Sequence, residues 1–152
     1  MRNKLVVDTN IFISGWFEGD EDCEKILELI KNREVQLLFG QDTIGELLYT
    51  IKNFARHNID NTEIRIRLLN FISELFYHST SVNTMNTIIE KTNDEYDDMF
   101  LKCALQGDAN YLVSDDFKAG MHEREYDELV IIGSNEFISI YEEKNGIIEL
   151  NN

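Results

Sequence analysis

The chain has 152 residues, 43% of them apolar, and 29 acidic residues against 14 lysines and arginines give a net charge of −15. Length and apolar content fit one folded domain with a real core, and the charge excludes a general nucleic-acid binder that works by whole-molecule attraction. No apolar run approaches the ~20 residues that span a bilayer, and Asp8 closes the first apolar stretch too early for a signal peptide.

Leu5-Val6-Val7 is an uninterrupted apolar triplet that runs into Asp8-Thr9-Asn10, which predicts a buried parallel strand over 4–8. Asp8 has two readings there, a helix cap or Asx turn or an oxygen ligand. Thr9 and Asn10 can fill the capping role, which leaves Asp8 freer for the second. Helices follow over 11–18 and 21–32, the latter with Cys23, Ile26, Leu27 and Ile30 at helical spacing. Phe12, Trp16 and Phe17 read as core or subunit-contact residues. Cys23 and Cys103 are too far apart for metal-ligand spacing and too few for a disulfide framework, which fits a reduced, cytoplasmic setting.

A second strand is predicted over 35–39, then two helices over 43–56 and 61–76 with no clear strand between them, hence a helical hairpin. Thr43-Ile44-Gly45-Glu46 fits a capping box that would account for Glu46. Residues 61–76 carry a broad apolar face including Ile64, Leu68, Leu69 and Ile72. Lys52, Arg56, His57, Arg65 and Arg67 concentrate positive charge on this hairpin. They are either an ordinary solvated surface or a contact for a polyanion.

A weak strand over 77–82 precedes a helix over 94–107, where Thr92-Asn93-Asp94-Glu95 fits another capping box. Asp97, Phe100, Leu101 and Ala104 lie at i, i+3, i+4 and i+7, so this helix carries a carboxylate on its apolar stripe. A buried aspartate must be paired, hydrogen-bonded or metal-bound. Asp98 points aside and Asp94 lies nearer the edge. Tyr111-Leu112-Val113 is a second apolar triplet, ending in Ser114-Asp115-Asp116. Adjacent residues diverge after a strand, so one of the two aspartates faces a cleft, with the Ser114 hydroxyl beside them. A short helix over 116–122, a strand over 129–132 and a helix over 134–142 complete the domain, 1–142. Residues 143–152 form a polar tail with a short extended piece at Ile147-Ile148.

Strands alternating with helices predict a three-layer α/β/α sandwich around a mainly parallel sheet. Ligands of such sheets sit beyond the carboxyl ends of the strands. Carboxylates gathered there repel one another unless a cation or shared proton relieves them. The pattern therefore predicts an oxygen-ligand site. His57, His78 and His122 lack zinc-ligand spacing, and no phosphate-binding glycine loop or nucleophile elbow is present.

The order Val-Val-Asp8-Thr9-Asn10, Gly45-Glu46-Leu47, Asp97-Asp98-Met99-Phe100-Leu101-x-x-Ala104 and Ala109-x-Tyr111-Leu112-Val113-Ser114-x-Asp116 resembles the PIN-domain family over about residues 4–140. It is most similar to the toxin-component branch of toxin–antitoxin systems. The resemblance implies a ribonuclease that uses Mg²⁺ or Mn²⁺, with Asp8, Glu46, Asp97 and Asp116 as its acids and Thr9, Asn10 and Ser114 assisting. It also implies a small antitoxin partner and a homodimer. Asp115 stands where the branch carries glycine, so it could share or replace the role of Asp116 as a metal ligand; Lys118 and Glu95 are further departures. Lys52, Arg56, Arg65 and Arg67 are the candidate RNA contacts. Two rivals remain open, a non-catalytic RNA- or protein-binding module whose acids are only caps, and a nuclease of DNA flaps. The second lacks a basic, aromatic helical arch.

Overall fold

The computed structural model describes residues 2–118 and 120–150. Its strands are β1 (Lys4–Val7), β2 (Gln36–Gly40), β3 (Thr80–Val82), β4 (Tyr111–Val113) and β5 (Val130–Ile132). Its helices are α1 (Thr9–Phe17), α2 (Glu21–Lys31), α3 (Gln41–Asn58), α4 (Thr62–Tyr77), α5 (Glu95–Gln106) and α6 (Ser134–Asn145). The strands form one sheet in the order β3-β2-β1-β4-β5, every pair parallel. The expected three-layer α/β/α sandwich is thus observed.

Side-chain alternation along the strands divides the core in two. Leu5, Val7, Leu37, Val113 and Ile132 pack into one layer with α1, α2, α4 and α6. Val6, Leu38, Leu112 and Ile131 face the other way, against Phe100, Leu101, Cys103 and Ala104 of α5. β1 pairs with β2 on one side and β4 on the other, so the chain order reverses between β1 and β4. That switch point opens a crevice at the carboxyl ends of these two strands.

The α3–α4 hairpin forms as its sequence suggests. Asn61 caps α4, its side-chain oxygen accepting from the Glu63 and Ile64 amides. Arg65 closes the end of α3 by donating to the carbonyls of Ile59 at 2.6 Å and Ala55 at 3.2 Å. Only part of the broad apolar face of α4 is covered, since Ile72 and Leu75 are buried while Ile64 and Leu69 remain about half exposed at 48% and 58%.

Two local expectations are corrected. The helix over 116–122 is replaced, among the described residues, by a 3₁₀ turn at Met121–Glu123, and Gly120 before it takes a left-handed φ of 75° that ends any helix there; Ala119 lies outside the described residues. Helix α6 runs to Asn145, past the helix end expected at 142. At Ile147-Ile148, expected as a short extended piece, the Ile148 amide donates to Glu142 at 2.7 Å and its side chain packs on the core. Asn151 and Asn152, at the end of the expected tail, lie outside the described residues.

Candidate metal centre

Period-two alternation decides where the acids go. Val6 and Leu112 face α5, so the next residues in phase, Asp8 just after β1 and Ser114 and Asp116 after β4, turn toward that same side. Helical spacing brings Asp97 to meet them from α5, packed with Phe100, Leu101 and Ala104, all at most 3% exposed.

Asp94, Asp97 and Asp116 each offer a carboxylate oxygen, and these atoms all lie within 4.8 Å of one another. Asp97 is 3% exposed, and its Oδ2 has no hydrogen-bond partner among the described residues. A buried carboxylate oxygen without a donor is costly. Burial first, and then the charges of Asp8, Asp94, Asp116 and Asp98 in that order, together push the Asp97 carboxyl up to about 6.

Asp8 belongs to the same field. Its carboxyl is likewise raised to about 6, by burial above all and by the charges of Glu46 and Asp116, against the opposing hydrogen bond from Ser114. Ser114 is fully buried and donates from Oγ to Asp8 Oδ2 at 2.9 Å while accepting from the Asp116 amide at 3.2 Å. Asp8 occupies the N-cap position of α1, yet its side chain makes no capping bond. The carboxylate therefore stays turned to the crevice.

Glu46 is released from its expected cap. Helix α3 begins earlier than the sequence suggests, with Gly40 as N-cap, and the Gly40 amide donates to Thr43 Oγ1 at 2.8 Å. That puts Glu46 in the second helical turn, where it accepts a hydrogen bond from the hydroxyl of buried Thr9. Asn10, next along α1, is exposed.

The second expected capping box is corrected too. Asp94, not Thr92, caps α5, accepting from the Tyr96 amide at 2.9 Å through one oxygen. Thr92 instead donates from its amide and hydroxyl to Asp98 Oδ1, both at 2.7 Å. Asp98 thereby fixes the loop that carries Asp94. Sequence reasoning left Asp94 out of the site because it lies nearer the edge of the helix's apolar stripe. The signal that could have found it is its i, i+3 relation to Asp97, which puts both on one helix face.

Asp115 does not join the cluster, and its expected role as a metal ligand is revised. Its phase sends it toward the opposite layer, where Oδ1 accepts from the Ser134 amide and Oδ2 from the Ser134 hydroxyl, both at 2.7 Å. The basic residues have other employment. Arg65 serves the end of α3, and Arg67 pairs with Glu63 at 3.1 Å in solvent. Lys52 and Arg56 rim a groove of about 620 Å³ between α3 and α4, floored by Leu48, Ile51, Ala55 and Leu68. Lys52 lies roughly 9 Å along the helix axis from Glu46.

The donor set is carboxylate oxygen throughout, gathered from β1, α5 and the end of β4, with one buried oxygen unsatisfied. It fits a hard divalent cation such as Mg²⁺ or Mn²⁺ and suits zinc or copper poorly.

A family model of the PIN domain matches residues 4–118. Among solved structures, a chain from the crystal structure of VapBC2 from Rickettsia felis, bound to a DNA fragment from their promoter, is similar with a TM-score of 0.53. The match is 14% identical and covers 86% of this chain and 98% of that one. At that identity the likeness speaks for the fold. No curated protein matches the sequence.

Proposed function

The chain belongs to the PIN-domain family, and on that premise we propose that it is a metal-dependent endoribonuclease that acts as the toxin of a toxin–antitoxin pair. The observation that carries the proposal is the convergence of carboxylate oxygens of Asp94, Asp97 and Asp116 within 4.8 Å of one another, with Oδ2 of buried Asp97 lacking a hydrogen-bond partner among the described residues.

In this reading Asp97 and Asp116, with Asp94 and Asp8 beside them, hold one or two Mg²⁺ or Mn²⁺ ions. Such an ion, when bound, supplies Lewis-acid activation of water and neutralises charge building on a phosphodiester. Glu46 orients the attacking water, and Thr9 fixes the Glu46 carboxylate by donating to Oε2. Ser114 holds Asp8 in the orientation needed for ligation. Without cations, five neighbouring carboxylates would repel an RNA phosphate as strongly as they repel each other. Lys52 and Arg56 are the basic side chains best placed to meet the RNA backbone beyond the cleavage point.

The antitoxin is part of the same proposal. The groove between α3 and α4 combines an apolar floor with the Lys52 and Arg56 rim, which suits a segment with apolar and acidic side chains. A homodimer is proposed on the same helices, where Tyr49 and Ile66 are 69% and 53% exposed. No described helix is long and apolar enough to cross a membrane, and both cysteines are free and buried; we place the protein in the cytoplasm.

The test is incubation of purified protein with total RNA in Mg²⁺, Mn²⁺ or EDTA, beside Asp97→Asn. Cleavage that needs the metal and disappears in Asp97→Asn supports the reading. Cleavage that persists in EDTA or in Asp97→Asn contradicts the metal site, and no cleavage at all returns the chain to the class of non-catalytic binding modules.

A further inference from the structure

The residues on both sides of Asp116 are seated on one corner of the fold. Asp115 grips Ser134 through both carboxylate oxygens at 2.7 Å. Gly133, just before α6, has no side chain with which to cap that helix, so Asp115 supplies the missing acceptor from a distant strand. Phe117 comes down on the same corner. A Cβ at Gly133 would lie 2.9 Å from Phe117 Cζ, closer than a Cβ tolerates, and 3.1 Å from Asp115 Oδ1, a tight contact that would push on the carboxylate. Phe117 also packs against His122, the rings tilted by 34° with centroids 4.0 Å apart, and the His122 Nε2 makes a 2.7 Å hydrogen bond with the Ser114 carbonyl.

Residues 114, 115 and 117 are thus each tied down, while Asp116 between them turns to the opposite layer and meets Asp97. We infer that Asp115 is a positioning residue: by clamping the end of β4 onto the Gly133–Ser134 corner, it fixes the direction in which Asp116 enters the metal centre. The inference rests on the proposed divalent-metal site. It differs from direct ligation by Asp115, because both of its oxygens are already committed to α6.

The chemistry separates the two roles. Asparagine can keep the grip, its carbonyl accepting from the Ser134 amide and its NH₂ donating to the Ser134 hydroxyl, but it loses the charge a ligand needs. Alanine loses both. Mn²⁺ binding to wild type, Asp115→Ala, Asp115→Asn and Gly133→Ala is measured by calorimetry at a temperature where each variant gives a folded near-ultraviolet dichroism spectrum. Asp115→Ala is expected to weaken Mn²⁺ by about tenfold or more, the usual effect of removing an orienting partner, and Asp115→Asn by less than about threefold. Gly133→Ala, which displaces the same seat from the other side, weakens it in the same direction and carries the test if Asp115→Ala does not fold.

Unchanged affinity in Asp115→Ala or, should that variant not fold, in Gly133→Ala overturns the inference and leaves the metal site standing. Equal losses in Asp115→Ala and Asp115→Asn overturn it in favour of a charge or ligand role. A wild-type protein that binds no Mn²⁺ overturns both the inference and the reading beneath it.

Discussion

Ser114 and Asp8, 106 positions apart in the chain, are joined by a 2.9 Å hydrogen bond from hydroxyl to carboxylate at the ends of two neighbouring strands. The bond closes the switch point between β1 and β4. It also lowers the carboxyl of Asp8 against the burial that raises it. Ser114→Ala is therefore expected to cost about 1.5–3 kcal/mol at pH 7.5, the range for a bond to a charged group. The cost shrinks at pH 4.5, where Asp8 is protonated and the bond is neutral. Urea unfolding at the two pH values measures the difference; equal costs would show that the Asp8 charge plays no part.

Asp8→Asn removes one of the crowded charges. Asp8 sits at about 6 instead of 3.8, and each unit is worth about 1.4 kcal/mol. The metal-free variant should gain about 1–3 kcal/mol over wild type at pH 7.5, while losing the thermal shift that Mn²⁺ gives. A less stable metal-free variant would mean that Asp8 is held by attractions absent from this account.

The pH dependence follows from the same two groups. Asp8 and Asp97 both have folded-state values near 6, above the ordinary 3.8. Between these values the folded state binds more protons than the unfolded chain, so stability falls as pH rises from about 4 to about 6 and then levels. These groups thus favour the metal-free fold on mild acidification, against the usual trend for salt-bridged carboxylates. Bound Mn²⁺ displaces those protons, so its affinity should weaken as pH drops below about 6. Thermal melts from pH 4.5 to 8, with and without Mn²⁺, would contradict this if the two series ran parallel.

Helix packing offers a prediction independent of the metal. Gly15 in α1 is buried against α2, and a Cβ there would lie 2.5 Å from Leu27 Cδ1 and 3.1 Å from the Cys23 backbone carbonyl. The Leu27 tip can turn away, but the backbone cannot. Gly15→Ala should cost about 1–3 kcal/mol through overpacking and leave the Mn²⁺ affinity of the folded protein unchanged. A neutral melting temperature would show that α1 and α2 slide apart easily.

Much of this arrangement was legible in the chain. Leu5-Val6-Val7 and Tyr111-Leu112-Val113 announced parallel strands because both of their faces are buried, and Asp97 stood out because a carboxylate on an apolar stripe demands a partner. The helix starts were read less well. Thr43 and Thr92 each matched a capping pattern three residues ahead of a glutamate, but the pattern does not say where a helix begins. Gly40 and Asp94 took those positions, which released Glu46 to Thr9 and brought Asp94 beside Asp97 and Asp116. The choice between Asp115 and Asp116 was latent in strand phase, since Leu112, Ser114 and Asp116 share a side. Reading it required knowing which layer held α5, and that depends on the tertiary fold.

Mn²⁺ calorimetry on wild type and Asp97→Asn, with Glu63→Gln on the exposed face of α4 as control, tests the central claim most directly. The account predicts saturable binding to wild type and to Glu63→Gln, lost in Asp97→Asn while its fold is retained. Equal binding by all three proteins, or by none, would contradict it.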